Sequence, residues 1–277
     1  MQEKSLKDLK IGIMGVGMVG GALKRYFEKE GRKPLLYDNG KNLGSVEEVN
    51  QADAIFICVP TPFDKEKGFD LSFVEDAVSK IENEKIVVIK STVLPGTTDG
   101  FQQKYPQHKF LFNPEFLVEA KADEGMQNPD RQIVGYTPKS QDVAEMIMAL
   151  LPRAPFERII SAKEAEMVKY FGNTFLSVKV IFGVQMYQLC KKLGIDYEIV
   201  RECASADPRI GPSHLDVYHG GYLGYGGKCL PKDIRALIQL ANSREVDLKL
   251  HKTVEEINNQ LMKEQGIEDP EKFSKRE

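Results

Sequence analysis

A cysteine in a glycine-rich turn is the side chain in this sequence best suited to covalent chemistry. Cys229 lies in the stretch Gly224-Tyr-Gly-Gly-Lys-Cys-Leu-Pro-Lys-Asp233, and Pro231 favours the start of a helix directly after it. Unpaired N–H groups at a helix N-terminus favour an anion, and Lys228 and Lys232 add positive charge. The thiolate of Cys229 is therefore expected to form more easily than that of a free cysteine. The alternative is a small buried side chain in a tight turn.

A lysine and an amide interrupt the apolar stripe of a long predicted helix. A capping box, Ser161-x-x-Glu164, opens this helix, which is predicted to run to about Leu193. Lys169 and Asn173 lie four residues apart and therefore on one face. Such a pair among apolar residues is natural as a set of substrate ligands, and the alternative is a lysine that extends to solvent.

A glycine-rich turn between an apolar run and a helical pattern predicts a dinucleotide site. Residues 10–14 form the run, and Asp38 ends a second predicted strand about 20 residues after the turn, where an acid binds the ribose of NAD and repels the extra phosphate of NADP. The alternative is a turn between packed elements with Asp38 as a turn residue. The predicted cofactor contacts in the turn are Gly15, Val16, Gly17, Met18, Val19 and Gly20.

Polar loops follow the next two predicted strands. Residues 54–59 form a continuous apolar run that ends in Pro60 and Thr61, and strand 86–89 ends in a loop with Ser91 and Thr92. Ligands of open α/β sheets bind at the carboxyl ends of strands, so these residues are predicted cofactor contacts. Hydroxyl-rich loops are more often simple turns and caps.

Two glutamates follow the predicted strand 109–112. Glu115 and Glu119 are four residues apart, and in a helix they would share one face and could point into one cleft. Burial there would raise the pKa of a carboxyl group enough for proton transfer. The alternative is a pair of exposed glutamates.

The order of elements predicts an α/β fold with a doubly wound parallel sheet of the Rossmann type, followed by a mostly helical domain with one long helix. Further helices are expected at 71–82, 139–150 and 248–265, and further strands at 132–135 and 155–159. The predicted domains are 1–160, which binds NAD, and 161–277, which is helical and carries Cys229.

Composition excludes several classes of protein. A formal net charge of -3 over 277 residues gives no reason to expect nucleic acid as a partner. No signal sequence or apolar run long enough for a membrane is seen, so a cytoplasmic protein without membrane contact is predicted. The 4 cysteines and 4 histidines show no ligand spacing, which predicts reduced thiols and no metal.

Eight separated motifs between residue 10 and about residue 245 form one combined pattern. They are Gly15-x-Gly17-x-x-Gly20, Val59-Pro-Thr-Pro62, Lys90-Ser-Thr-Val93, Asn113-Pro-Glu-Phe-Leu117 with Glu119, Asn128-Pro-Asp-Arg131, Lys169-x-x-x-Asn173, Asp207-x-Arg-Ile-Gly211 and Gly226-Gly-x-Cys-x-Pro-Lys-Asp233. This pattern resembles the UDP-glucose/GDP-mannose dehydrogenase family. The resemblance implies NAD-dependent four-electron oxidation of the C6 alcohol of a nucleotide sugar, with UDP-glucose as the expected substrate.

The resemblance also implies roles for single residues. Cys229 would form a thiohemiacetal and then a thioester, and Lys169 with Asn173 would stabilise developing negative charge. Asp233 and Thr92 would hold a water that relays protons, while Glu115 and Glu119 would supply base and positioning functions. Arg209 would reach the substrate of a neighbouring subunit in a homodimer built on the long helix. The further expected ligands are Lys232 for the cofactor and Phe116, Leu117, Tyr225, Gly226 and Gly227 for the substrate.

Two departures from the family pattern leave alternatives open. Family members commonly continue into a second nucleotide-binding domain, for which this sequence has no room, and the segment between Asp38 and the strand at 54 is shorter than usual. One alternative is a two-electron dehydrogenase of the β-hydroxyacid kind, which needs no cysteine. The other is a catalytically idle module that binds NAD or a nucleotide sugar.

Overall fold

The structure is a computed structural model that describes residues 6–64, 68–218 and 220–271. The chain forms two compact units. The first consists of Met1–Thr61 and Asp70–Lys169, and the second of Pro62–Phe69 and Tyr170–Glu277. These units are defined by compactness, so the expected functional boundary after residue 160 stays a prediction.

Ten strands lie in the described ranges. The central strands are short and apolar, as burial on both faces requires. The strands are β1 (Ile11–Met14), β2 (Leu35–Asp38), β3 (Leu43–Gly44), β4 (Ala54–Ile57), β5 (Phe63–Asp64), β6 (Gly68–Phe69), β7 (Ile86–Ile89), β8 (Lys109–Phe112), β9 (Arg131–Tyr136) and β10 (Phe156–Ser161).

Eight of these strands form the sheet of the first unit, in the order β10-β9-β8-β7-β4-β1-β2-β3. Four neighbouring pairs are parallel, as predicted: β2 with β1, β1 with β4, β4 with β7, and β7 with β8. Towards its edges the sheet also contains two antiparallel pairs, β9 with β8 and β3 with β2. The chain leaves β8 and begins β9 at the same edge of the sheet, so β9 must run back along its neighbour.

The helices cover both faces of this sheet and build the second unit. They are α1 (Met18–Lys29), α2 (Val46–Val49), α3 (Ser72–Ser79), α4 (Thr97–Lys104), α5 (Ala122–Gln127), α6 (Ala144–Leu150), α7 (Ala162–Leu193), α8 (Tyr197–Ser205), α9 (Leu230–Ser243) and α10 (Lys249–Glu264). No helix in the described part of the chain is long and apolar enough to cross a membrane.

Alternate residues of the central strands pack into different apolar layers. Ile13 and Phe56 contact a cluster that contains Leu23 and Phe27 of α1. Ile55 and Ile57 belong to a second cluster, which includes residues of α3 and the start of α7. Because successive side chains of a strand point to opposite faces, the sheet is covered on both sides and its carboxyl edge carries the loops of interest.

Local signals in the sequence mark several helix ends correctly. Ser45 accepts a hydrogen bond from Glu48 N at 3.1 Å, and Ser161 and Glu164 bond each other reciprocally at the start of α7. Gly194 has φ +70° just after α7, as a left-handed helix terminus requires. These contacts confirm the predicted caps.

The second unit is built from α7 beyond Tyr170, α8, α9, α10 and a small hairpin. Its core includes Ile181 and Val184 of α7, Ile234 of α9 and Val254 of α10. The hairpin of β5 and β6 is attached to α9, because Phe69 N–H donates to Gln239 Oε1 at 3.1 Å. This attachment assigns residues 62–69 to the second unit although both neighbouring segments belong to the first.

Candidate active site

The glycine-rich turn connects β1 to α1 and leaves room at its tip. Gly15 has φ +86°, and a Cβ there would lie 2.8 Å from the backbone of Cys58. A Cβ on Gly20 would lie 2.0 Å from the carbonyl oxygen of Gly15, whereas a Cβ on Gly17 would meet no atom within 4 Å. Steric contacts within the fold thus explain why Gly15 and Gly20 must lack a side chain. The open, exposed position of Gly17 at the N-terminus of α1 fits the close approach of a pyrophosphate.

Asp38 lies at the mouth of this turn. Its Oδ2 accepts a hydrogen bond from Val16 N at 2.7 Å, and its Oδ1 accepts one from Lys41 N at 3.1 Å. Lys41 Nζ in turn donates to the carbonyl of Val16 at 2.6 Å. The carboxylate is therefore fixed beside the turn, where the ribose of a dinucleotide would lie, and it also serves as a turn residue.

The hydroxyl groups of the two following loops hold those loops together. Thr61 Oγ1 donates to the carbonyl of Thr92 at 2.8 Å, and Ser91 Oγ donates to the carbonyl of Val59 at 2.6 Å. Thr61 and Ser91 are buried, Thr92 is half-buried and Pro60 is exposed. The two donated hydrogens are used within the protein, so these hydroxyls are left as acceptors toward any ligand.

A buried ion pair joins α7 to the loop after β8. Lys169 Nζ lies 2.7 Å from Glu115 Oε1, and the two side chains are only 6% and 8% exposed. Burial opposes ionisation of Glu115, but Lys169, the N–H of Leu117 and Lys90 together hold the pKa of that carboxyl below its usual range. A deprotonated carboxylate and a cation are thus held side by side in a dry setting, where charges interact strongly.

The two glutamates after β8 do not lie on one helix, so the condition under which they would share a face is not met. Residues 113–118 form no helix, and Glu119 is an exposed residue at the start of a short 3₁₀ turn, Glu119–Lys121. Pro114 disfavours helical geometry at Asn113, so no helix is expected to continue from β8 through that residue. The expected rise in the pKa of Glu115 is wrong, because its cationic neighbours outweigh burial.

Two buried residues behind this pair have no role in the sequence-based predictions. Lys90 Nζ donates to Asn113 Oδ1 at 2.5 Å, and Asn113 Nδ2 donates to Gln132 Oε1 and to the carbonyl of Ile133 at 2.8 and 2.7 Å. Burial lowers the pKa of Lys90. The sequence shows a lysine, Lys90, directly after a buried strand. Its partner Asn113 is brought next to it only by the pairing of β7 with β8.

A cavity of about 280 Å³ opens beside Glu115. Phe116 and Leu117, two predicted substrate ligands, line it together with Arg131. The guanidinium of Arg131 lies 3.9 Å from the centre of the Phe116 ring, which makes a cation–π contact. The loop after β8 thus presents an aromatic face backed by a cation.

In the second unit, Asp233 is the centre of a buried polar cluster. Its side chain is fully buried, Asn173 Nδ2 donates to its Oδ2 at 2.5 Å, and Lys232 Nζ donates to its Oδ1 at 2.5 Å. The structure therefore brings together three residues that the sequence predicted as parts of one site. A carboxylate that accepts hydrogen bonds from both sides is fixed in orientation.

Cys229 lies at the N-cap position of α9, and its carbonyl accepts a hydrogen bond from Asp233 N at 3.1 Å. It is exposed, as is Cys203 on α8, whereas Cys190 is buried. The alternative of a small buried cysteine is therefore wrong for Cys229. Its position next to the first N–H groups of a helix is the one predicted, with Pro231 as the second helical residue.

Two predicted substrate ligands have other contacts in the second unit. Tyr225 is buried, its hydroxyl donates to Glu255 Oε2 at 3.1 Å, and its backbone N–H and C=O both pair with the side chain of Asn258. Arg209 lies after α8 with its side chain 88% exposed, and it pairs with Asp207. Gly226 and Gly227 are half-buried in the turn that leads to Cys229.

Comparisons with known proteins agree with this geometry. Residues 39–151 match the model of the NAD binding domain of the UDP-glucose/GDP-mannose dehydrogenase family, and residues 163–260 match the model of its central domain. A UDP-glucose 6-dehydrogenase of Rickettsia felis is 35% identical over 223 residues, which is 77% of this chain and 49% of that protein.

A second sequence relative and a solved structure are also similar to this chain. The UDP-glucose 6-dehydrogenase YwqF of Bacillus subtilis is 35% identical over 223 residues, covering 76% of this chain and 49% of that protein. The structure of a UDP-glucose dehydrogenase from Pyrobaculum islandicum superposes with a TM-score of 0.82 and 28% identity over 96% of this chain and 73% of that one. The chain thus spans about half the length of the curated relatives it matches.

Proposed function

Because this chain belongs to the UDP-glucose/GDP-mannose dehydrogenase family, we propose that it oxidises the C6 alcohol of a nucleotide sugar, UDP-glucose in the first place, to the carboxylate with NAD. The observation that carries the proposal is the exposed thiol of Cys229 at the start of α9, four residues before the buried carboxylate of Asp233. A two-electron dehydrogenase has no use for a thiol in that position.

The proposed reaction removes four electrons and balances through the thiol. NAD⁺, when bound, supplies the hydride acceptor for each of the two oxidations. The Cys229 thiolate adds to the carbonyl carbon at the aldehyde level, and this thiohemiacetal still carries the hydrogen that leaves as hydride. The thioester that results is attacked by water, the C–S bond breaks, and carboxylate and thiol are released.

The polar residues have separate tasks in this proposal. Lys169, held by Glu115, stabilises negative charge that develops on the substrate oxygen, and Asn173 supplies a neutral donor. Asp233 orients a water that carries protons, Thr92 supplies a hydroxyl for proton transfer, and Glu115 accepts a proton during alcohol oxidation. Glu119 lies at the exposed end of its loop, so its part is limited to positioning at the surface.

The remaining residues bind the two ligands. Gly17 and the N–H groups of Met18 and Val19 receive the pyrophosphate, and Asp38 receives the ribose. The other cofactor contacts are Gly15, Val16, Gly20, Pro60, Thr61, Ser91 and Lys232. The sugar nucleotide is bound by Phe116, Leu117, Arg209, Tyr225, Gly226 and Gly227, with the buried ring of Tyr225 acting by shaping the turn.

We also propose that the protein is a homodimer that pairs through α7. Three phenylalanines on this helix, Phe171, Phe175 and Phe182, are 71%, 55% and 59% exposed. Phe171 and Phe175 stack with their ring centres 6.5 Å apart, and the spacings of four and seven residues keep all three on one face. Large aromatic side chains on one helical face are typical of a buried interface.

The test is the amount of NADH formed for each UDP-glucose consumed, with the sugar product identified by mass spectrometry. We expect two NADH and a hexuronate. Cys229→Ala should abolish acid formation, whereas Cys203→Ala, which removes the other exposed thiol, should not change it. One NADH for each substrate would favour a two-electron dehydrogenase instead. Tight NAD binding without NADH from any nucleotide sugar would favour a binding module.

A further inference from the structure

Two amide side chains, Asn258 of α10 and Gln265 directly after it, hold the turn that leads to Cys229. Asn258 pairs with both backbone groups of Tyr225, at 2.8 and 3.0 Å. Gln265 likewise accepts from Leu223 N and donates to Leu223 O, both at 2.8 Å. Each amide thus replaces the partner strand that this irregular backbone lacks, and the turn is fixed up to Tyr225.

Beyond Tyr225 the turn is held by the segment that follows α10. Gly227 N–H donates to the carbonyl of Pro270 at 2.8 Å, two residues before Cys229. Gly227 has φ +77°, and a Cβ there would meet no atom within 4 Å. Gly227 has no side chain that could restrain its backbone. The hydrogen bond to Pro270 therefore acts directly on the conformation of the turn.

A half-buried arginine anchors this segment to α9. Arg235, whose side chain is 12% exposed, donates from Nη1 to Glu271 Oε1 at 2.7 Å and from Nε to Glu255 Oε1 at 2.5 Å. Glu255 also accepts the hydroxyl hydrogen of Tyr225 at 3.1 Å. The guanidinium of Arg235 therefore connects α9, α10 and the segment after α10. We name residues 269–271 the C-terminal clasp.

We propose that Arg235 and Glu271 are positioning residues for Cys229, acting through the carbonyl of Pro270 on the backbone of Gly227. The proposal rests on the proposed function only in giving Cys229 a task in the reaction. When the clasp is released, the turn and the first turn of α9 fray together, and the thiol loses its fixed place beside the helix N–H groups. The thiolate fraction and the reactivity of Cys229 then fall.

The experiment compares Glu271→Ala with Glu268→Ala in the full chain. Glu268 is an exposed carboxylate in the same segment, so its variant removes the same charge without touching Arg235. The probe is iodoacetamide at neutral pH, and mass spectrometry follows alkylation of Cys229 relative to Cys203, which is also exposed. No substrate or cofactor is needed, so this readout is independent of the proposed reaction.

In Glu271→Ala we expect alkylation of Cys229 to slow about threefold relative to Cys203, the size of effect that a helix N-terminus has on a neighbouring charge. Hydrogen exchange of the Gly227 amide should become faster, and kcat should fall more than KM rises. Glu271→Gln keeps an acceptor for Arg235 and should restore most of the alkylation rate. Glu268→Ala should match the unchanged protein in every readout.

Equal alkylation rates in the two alanine variants would overturn the proposal. So would a loss in Glu271→Ala that Glu271→Gln does not restore, provided that both variants show the thermal unfolding of the unchanged protein. Slower alkylation in a protein that forms no NADH from any nucleotide sugar would support the clasp and contradict the proposed function. The alkylation rate therefore tests the role of the clasp, and NADH formation tests the proposed function separately.

Discussion

Three glycines of one turn differ in what a methyl group would meet. A Cβ on Gly20 would overlap the carbonyl of Gly15 at 2.0 Å, whereas a Cβ on Gly17 would enter open space. The backbone at Gly17 also has φ -76°, which any residue adopts. The same substitution therefore separates a glycine needed for packing from one needed for a ligand.

For Gly17→Ala we expect an unchanged melting temperature and a dissociation constant for NAD raised about tenfold, which corresponds to about 1.4 kcal/mol. For Gly20→Ala we expect a loss of about 1–3 kcal/mol in the free energy of unfolding, because backbone must move. Thermal unfolding and calorimetric titration with NAD measure the two effects. Unaltered NAD affinity in Gly17→Ala would show that no pyrophosphate approaches this position.

At the residue scale, the sequence predicted chemistry where a residue type and its local spacing are sufficient. Cys229 before a helix-starting proline and the glycine-rich turn are such cases. The roles of Lys90 and Tyr225 depend on partners 23 and 33 residues away in the chain. Local spacing carries no information about such pairs, so their contacts emerge only from the fold.

At the scale of elements, α4 begins against a buried carboxylate from α7. Glu166 Oε1 accepts hydrogen bonds from Thr98 N and Thr98 Oγ1 at 2.8 and 2.6 Å, and Oε2 accepts one from Gly96 N at 2.5 Å. The acid thus caps the helix that follows the loop of Ser91 and Thr92. Burial, assisted by Asp99, raises the pKa of Glu166 to about 7 although the three donors oppose this shift.

The raised pKa makes stability depend on pH with a definite sign. The folded chain binds the Glu166 proton more tightly than the unfolded chain, so the associated stability is complete below pH 4.5, the ordinary value, and is lost as pH rises to about 7. We expect this loss to be about 3 kcal/mol. Urea unfolding between pH 5 and pH 8 measures it as the difference between the unchanged protein and Glu166→Gln.

Glu145→Gln is the matched control, because Glu145 is an exposed acid on α6. Its free energy of unfolding should follow that of the unchanged protein across the same pH range. If the free energy of unfolding has the same pH dependence in Glu166→Gln and Glu145→Gln, the pKa of Glu166 does not differ between the folded and unfolded chain as described.

Elements whose ends are marked by local hydrogen bonds were predictable, and those fixed by pairing were not. The caps at Ser45 and Ser161 involve residues three positions apart, so the sequence shows them directly. The direction of β9 is set by its pairing with β8, which periodicity does not encode. The spacing of Glu115 and Glu119 could not show whether loop 113–118 is helical, because spacing does not include the effect of Pro114 on the residue before it.

At the scale of the whole molecule, the exposed aromatic face of α7 is the proposed dimer interface. We expect Phe175→Glu to convert the proposed dimer to a monomer, because a buried charge without a partner opposes association by several kcal/mol. Sedimentation velocity over a range of concentrations measures the mass. Phe73→Glu is the control, since Phe73 is 48% exposed on α3 and lies in the other unit. Dimers in both variants would exclude this face of α7 as the interface.

The class of the molecule was predictable because alternating strands and helices leave few topologies. The doubly wound sheet and the long helix follow from apolar periodicity and length, and both are observed. The assignment of residues 62–69 to the second unit was not predicted. It depends on the bond between Phe69 and Gln239, a contact between residues that are far apart in the sequence.

The distribution of thiols gives the second unit a built-in reporter of its own opening. Cys190 is buried in the core formed by α7, α8 and their neighbours, while Cys203 and Cys229 are exposed. In the native protein a thiol reagent reacts with the exposed pair at once and with Cys190 only when that core opens. The labelling rate of Cys190 therefore measures how often the helical core opens, without denaturant and without an introduced cysteine.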